Sequence, residues 1–313
     1  MKKIFVAGHN GMVGSATVRA LQKDSNNWEI LSRNRKELDL CNQLAVEDFF
    51  ETEKPEFVIN AAGRVGGIYA NNTYPAQFIR ENLLINSNLI HPSWKNGVSH
   101  FLNLGSSCIY PRDAEQPMKE EALLTGPLEP TNSAYALAKI AGLEMCRHYR
   151  SEYGVLFHSA MPTNLYGTGD NYHSENSHVL PALIRRFHEA KEMGSKEVCI
   201  WGTGKPRREL LHSDDLAEAL IFLLKIKNPP DWINVGSGKD YTILEIATMV
   251  KNVIGFTGSI THDLSKPDGT PIKRLDVSLL DSLGWKSKIQ LQQGIEIAYS
   301  DFLKGIKDRT IRF

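Results

Sequence analysis

The chain has 313 residues, of which 42% are hydrophobic and 23% charged, the balance of a globular protein with material for one large core or two unequal ones. Lys and Arg total 36 and Asp and Glu total 36, so there is no net charge; this excludes a global pull toward nucleic acid or an anionic membrane, and any anionic ligand has to be caught by local groups. The longest apolar runs, 219–224 and 57–62, fall far short of the ~20 residues that cross a bilayer, and Met1-Lys2-Lys3 leads straight into a strand-like run, so neither a membrane span nor a signal peptide is expected.

Lys3 to Ala7 reads as a buried strand, Gly8-x-x-Gly11-x-x-Gly14 interrupts it, and Ser15 to Lys23 then shows helical spacing through Ala16, Val18, Ala20 and Leu21. The alternation continues with a strand at Glu29 to Leu31, a helix from Leu44 to Lys54, a strand at Phe57 to Ala61 and a long helix from about Pro75 to Lys95. A strand at His100 to Leu104, a helix over Asn132 to Tyr153 and a strand at Leu156 to Met161 complete the series. Strands and helices alternating at this length call for a parallel sheet covered on both faces. The expected fold is therefore α/β, a doubly wound parallel sheet of the Rossmann type with a smaller α/β substrate-binding lobe.

Beyond residue 165 the rhythm loosens into a loop from Gly167 to Ser177, a helix from Val179 to Met193, and strands at Val198 to Trp201 and Trp232 to Val235. Helices follow near Asp214 to Lys225, Ile243 to Ile254 and Gln293 to Lys304. Two domains are expected, 1–165 for the dinucleotide and 166–313 for the substrate, with some later strands and helices returning to the first.

A glycine turn between a first strand and its helix lets the backbone approach a pyrophosphate, and the free amides of the helix start favour the negative charge. Gly8, Gly11 and Gly14, with Met12 and Val13 between them, are the candidate cradle. The second strand ends Leu31-Ser32-Arg33-Asn34-Arg35-Lys36, with arginine where an acid would hold the ribose hydroxyls of NAD. Arg33 or Arg35 can pair with a 2′-phosphate through a planar fork, so NADP(H) is the expected cofactor. A solvated basic turn is the competing reading. Asp39, with Leu40, lies where an adenine contact is expected.

Tyr135 and Lys139 stand four apart on one predicted helix and share a face. A lysine ammonium beside a phenol is expected to lower its pKa and poise it for proton transfer. Ser106 and Cys108 follow the fourth strand at the carboxyl edge of the sheet, where such folds bind ligands. In an extended chain the two would face the same side, with Ser107 turned away. The cysteines at 41, 108, 146 and 199 show no Cys-x-x-Cys and no metal-ligand spacing, so no metal site and a reduced, cytoplasmic protein are expected. Cys108 is the one placed to act as a base, whereas the others read as ordinary buried thiols. His178 follows Asn176-Ser177 at a helix start, where the dipole disfavours imidazolium. Thiol and imidazole together form a second acid/base pair.

Arg185-Arg186, and Arg207-Arg208 after Trp201-Gly202-x-Gly204, suit a diphosphate and a stacked base. Lys266-Pro267-Asp268-Gly269 reads as a tight turn.

Together these stretches resemble the extended short-chain dehydrogenase/reductase family, in its branch acting on GDP-deoxy-sugars. The matching segments are Ala7-Gly8-His9-x-Gly11-Met12-Val13-Gly14, Ala70-Asn71-Asn72-Thr73, Leu104-Gly105-Ser106-Ser107-Cys108-Ile109-Tyr110-Pro111 and Met161-Pro162-Thr163-Asn164-Leu165-Tyr166-Gly167. Asn176-Ser177-His178-Val179, Arg185-Arg186-Phe187-His188 and Lys266-Pro267-Asp268-Gly269-Thr270 match as well, so the resemblance runs over nearly the whole chain. It implies that Ser106, Tyr135 and Lys139 serve a reduction and that Cys108 and His178 serve an epimerisation. It implies cofactor contacts from Leu104, Gly105, Pro162, Asn164, Leu165, Tyr135, Lys139 and His178. Sugar-nucleotide contacts are implied for Ser107, Asn164, Arg186, Trp201, Arg208 and Asp268. The implied activity is 3,5-epimerisation and NADPH-dependent 4-reduction of GDP-4-keto-6-deoxy-D-mannose to GDP-L-fucose by a homodimer joined through the long helices of the nucleotide domain. A C4-only reductase of a related GDP-sugar, such as a heptose, and a non-catalytic NADP-binding regulatory protein are the alternatives. Two departures stand out: Asn10 where many members carry Arg, and Arg64 where a lysine usually follows Gly63.

Overall fold

The computed structural model describes residues 2–312 apart from 175 and 267, so Met1, residue 175 of the 167–177 loop and Pro267 of the expected turn lie outside the described residues. The first half runs β1 (Lys2–Ala7), α1 (Met12–Lys23), β2 (Trp28–Leu31), α2 (Gln43–Glu53), β3 (Phe57–Asn60), α3 (Ile68–Thr73), α4 (Pro75–Lys95), β4 (His100–Leu104), α5 (Ser133–Tyr153) and β5 (Leu156–Pro162). The second runs β6 (Asn164–Tyr166), α6 (Val179–Glu192), β7 (Glu197–Trp201), β8 (Arg207–His212), α7 (Ser213–Leu224), β9 (Trp232–Val235), β10 (Asp240–Thr242), α8 (Ile243–Ile254), β11 (Ser259–Asp263), β12 (Ile272–Lys273), α9 (Ser278–Ser282) and α10 (Leu291–Asp308).

Six strands form one parallel sheet in the order β2-β1-β3-β4-β5-β9. Its strands read as unbroken apolar runs because both faces are covered. Ile4, Val6, Ile59 and Leu102 point one way, into a core shared with Leu216 and Leu220 of α7. Phe5, Val58 and Phe101, one residue out of step, point the other way onto Phe50 of α2 and Leu89 of α4. The strand order reverses at β1, so the carboxyl ends of the strands open onto the crevice where such sheets take ligands.

The second lobe has its own core, in which Leu180, Ile184 and Phe187 of α6 pack with Ile246 and Val250 of α8 and with Ile295 and Phe302 of α10. Five short strands there, β6, β8, β10, β11 and β12, were not legible in the sequence. Central β8 begins Arg207-Arg208-Glu209, a charged run that carries no strand periodicity, yet it pairs with β6, β10 and β12. Among the described residues no helix is long and apolar enough to cross a membrane.

Candidate active site

The glycine loop closes on itself too tightly for side chains. Gly8 has φ +79, and a Cβ there would lie 2.7 Å from the Ala62 backbone. A Cβ on Gly14 would lie 2.1 Å from the Gly8 carbonyl oxygen. The N-cap of α1 is Gly11, with no side-chain capping bond, so the first-turn amides of Met12, Val13 and Gly14 are left for another acceptor. This bare backbone cradle at a helix start fits a dinucleotide diphosphate.

The two arginines after β2 behave differently. Arg33 is held by Glu53 at 2.6 Å and lies 5.6 Å from the Phe49 ring centroid. Arg35 is 72% exposed and only loosely attended by Glu81 at 3.8 Å and Asp39 at 3.9 Å. Asp39 caps its own turn through the Cys41 amide, and the Leu40 carbonyl accepts from Asn88.

At the end of β4 the chain does not stay extended. The Ser106 hydroxyl accepts from the Cys108 amide at 3.2 Å and turns Ser107–Ile109 into one turn of 3-10 helix, with Ser107 buried. The expectation of an extended Ser106-x-Cys108 is corrected by that bond, although both side chains still reach one site. The Ser106 hydroxyl stands beside the Tyr135 phenol and the Cys108 thiol and favours the ionised form of both, and the Cys108 charge acts on Tyr135.

Lys139 does not lower the Tyr135 pKa as expected. Its ammonium donates to the Leu104 carbonyl at 2.7 Å and stands 5.7 Å from the phenol ring centroid. Burial therefore wins, raising the phenol above its ordinary value, with the Cys108 charge adding to the rise. Lys139 itself is brought down to about 8 by burial alone.

Cys108 moves the other way. Burial opposes its thiolate, but the Lys273 ammonium at 3.3 Å and the Ser106 hydrogen bond outweigh it, and the pKa falls. His178 is the exposed N-cap residue of α6 and makes no capping bond. Desolvation, and then the Lys273 charge, push its imidazole below the ordinary value. The loop before it is pinned where the Asn176 carbonyl accepts from the Gly67 amide at 3.1 Å. Asn71 in turn donates to the carbonyls of Gly66 and Gly67. Sequence reasoning missed Lys273: it stands five residues past Asp268 in a stretch whose spacing carries no signal for the thiol it touches.

The remaining candidates are spread over both lobes. The Gly105 amide donates to Ala160, and Asn164, between Pro162 and Leu165, donates to the Glu209 carbonyl at 2.9 Å. Trp201 is 60% exposed and lies between two cations, Arg186 at 5.3 Å and Lys266 at 5.6 Å from its ring. Asp268 accepts from the Thr203 amide at 2.8 Å and hydroxyl at 2.7 Å, which ties its turn to Trp201-Gly202. The Arg208 guanidinium bonds the Arg207 and Thr270 carbonyls. An exposed indole, flanking cations and an anchored carboxylate can stack a base, meet phosphates and accept base N–H groups.

The description NAD dependent epimerase/dehydratase family matches residues 4–236. A protein of Arabidopsis thaliana named GDP-L-fucose synthase 1 is 55% identical over 307 residues, covering 98% of this chain and 95% of its own. A crystal structure of a GDP-6-OMe-4-keto-L-xylo-heptose reductase from C. jejuni is 40% identical with a TM-score of 0.88, covering 97% of this chain and 98% of that one. A GDP-L-fucose synthetase from Naegleria fowleri bound to NADP is 28% identical with a TM-score of 0.91, covering 100% of this chain and 96% of that one.

Proposed function

Because the chain belongs to the NAD dependent epimerase/dehydratase family, we propose that it converts GDP-4-keto-6-deoxy-D-mannose to GDP-L-fucose, epimerising C3 and C5 and then reducing C4. The observation that carries this reading is that one serine, Ser106, stands beside both a reductase-type phenol, Tyr135, and a thiol, Cys108, that the Lys273 ammonium approaches to 3.3 Å. A reductase acting on C4 alone needs neither Cys108 nor His178.

The 4-keto group acidifies the hydrogens on C3 and C5, because the electron pair left behind spreads onto the ketone oxygen. Cys108 and His178 remove and return these protons. On removal the C–H pair becomes the enolate double bond and the carbonyl π pair moves to oxygen; protonation on the opposite face reverses the flow and inverts the carbon. Ser106 and Tyr135 hold the enolate oxygen by hydrogen bonds. When bound, the nicotinamide supplies the hydride that reduces C4. Tyr135, kept protonated by burial, gives its proton to the C4 oxygen.

The enzyme is nicotinamide-dependent, and NADP is the form this reading selects, with the exposed Arg35 as the 2′-phosphate partner and Met12, Val13 and Gly14 at the diphosphate. Residues 1–165 hold the cofactor and residues 166–313 the GDP-sugar, with α7 and β9 returning to the first unit. Trp201, Arg186, Arg208 and Asp268 meet the nucleotide. The working form is a homodimer through α4 and α5, whose outer faces carry Leu83, 39% exposed, and Leu137, 49% exposed. A catalytic thiol favours a reducing compartment, so the cytoplasm is its setting.

Incubating the protein with NADPH and GDP-4-keto-6-deoxy-D-mannose and identifying the product sugar by NMR tests the reading. GDP-L-fucose is expected. A product reduced at C4 with C3 and C5 unchanged would overturn it.

A further inference from the structure

Lys273 belongs to β12, two residues of the second lobe, yet its ammonium lies 3.3 Å from a thiol that is 165 residues away in the chain. The strand is fixed from both sides. Parallel pairing sets Ile272 and Lys273 opposite Arg207 and Arg208 of β8. The Arg274 amide donates to Gln116 at 2.9 Å, and the Leu275 amide donates to the fully buried Glu209 carboxylate at 2.8 Å. A lysine head on a flexible stem ordinarily reaches for water or an acid. The next residue, Arg274, reaches Asp240, whereas Lys273 has no carboxylate partner among the described residues.

Resting on the reading above, we propose that Lys273 is a positioning residue for the epimerisation: its ammonium holds the Cys108 sulfur as the thiolate that accepts the sugar proton. The groups facing that sulfur are Ser106 beyond β4, the Tyr135 phenol on α5, the Glu129 carboxylate ahead of α5 and Lys273 on β12. Glu129 opposes the thiolate and the phenol stays neutral, so Lys273 is the cation in the set. The same charge faces His178 at the start of α6 and makes its imidazolium readier to release a proton to carbon. One ammonium thus favours a base on the sulfur and a stronger acid on the ring.

The direct test is the pH dependence of Cys108 alkylation by iodoacetamide in the substrate-free enzyme, read by mass spectrometry of the Cys108 peptide. The wild-type midpoint is expected below the ~8.5 of a free thiol. Lys273→Met should raise it by roughly one to three pH units, and Lys273→Arg should restore most of the drop. The pH profile of deuterium uptake at C3 and C5 should move with it. A folded Lys273→Met enzyme with an unmoved midpoint overturns the proposal, including the case where the variant only raises KM for the GDP-sugar. So does a wild-type midpoint at or above that of free cysteine, which needs no variant and is immune to misfolding. Failure of the wild-type enzyme to turn over the GDP-keto-sugar would sink the function while leaving the alkylation result in force, so the two failures are separable.

Discussion

The Lys139 ammonium stands 5.7 Å from the centroid of the Tyr135 ring and gives its hydrogen bond to the Leu104 carbonyl, so it anchors the crevice wall without stripping the phenol of its proton. A buried phenol raised above its ordinary value enters the reaction protonated, as a proton donor must. Tyr135→Phe should lower the rate of NADPH oxidation by roughly 10²- to 10⁴-fold, while deuterium uptake at C3 and C5 persists because Ser106 still holds the enolate oxygen. Unchanged NADPH oxidation would remove Tyr135 from the reduction.

Lys139 also makes a stability prediction. Its folded pKa, about 8, lies below the 10.5 of an ordinary lysine, so between these pH values the unfolded chain binds more protons and this group's contribution to stability rises with pH. Below about 8 the buried ammonium carries its full penalty, roughly 3 kcal/mol from the size of the shift. Denaturant unfolding of Lys139→Met and wild type across this window should show the variant's relative advantage shrinking as pH rises. A constant difference would contradict the assignment.

Cys108 and Tyr135 should separate the two halves of the reaction. Cys108→Ser replaces an activated thiol with a hydroxyl that is barely ionised at neutral pH, so deuterium uptake at C3 and C5 should fall by at least about 10²-fold. Undiminished uptake, followed by NMR, would exclude the thiol as a base.

Cofactor choice should rest on Arg35, since Arg33 is occupied by Glu53. Loss of a charge-assisted phosphate contact predicts that Arg35→Ala lowers kcat/KM for NADPH by roughly ten- to a hundredfold, with little change for NADH. Steady-state kinetics with both cofactors reads the ratio. Arg33→Ala should act mainly on stability, and a larger cofactor effect from Arg33 than from Arg35 would reverse the assignment.

The exposed Trp201 can be removed without opening the core. Trp201→Ala should weaken inhibition by GDP by about tenfold or more, leaving NADPH affinity and melting temperature near wild type. Unchanged GDP inhibition would take the indole out of the nucleotide site.

Much of this was legible before folding, and the failures have local causes. The strand-glycine-helix opening, the helices carrying Tyr135 and His178, and the alternation through β5 all follow from apolar spacing and glycine placement. The strand at 207–212 was hidden because Arg207, Arg208 and Glu209 look solvated, yet Glu209 is fully buried, accepting amides from Gly238 and Leu275. The bend after β4 was missed because one serine hydroxyl bonding an amide two residues ahead outweighs the extended preference of a strand end.

By itself the sequence determined the doubly wound sheet, the glycine cradle and the set of groups able to move protons, since these depend on neighbours along the chain. Tertiary structure alone decided their ionisation. Lys139, four residues from Tyr135, leaves the phenol protonated, whereas Lys273, 165 residues from Cys108, favours its thiolate. Charge interactions follow distance in space and the loss of water around each group, and neither is written in the spacing of residues along a chain.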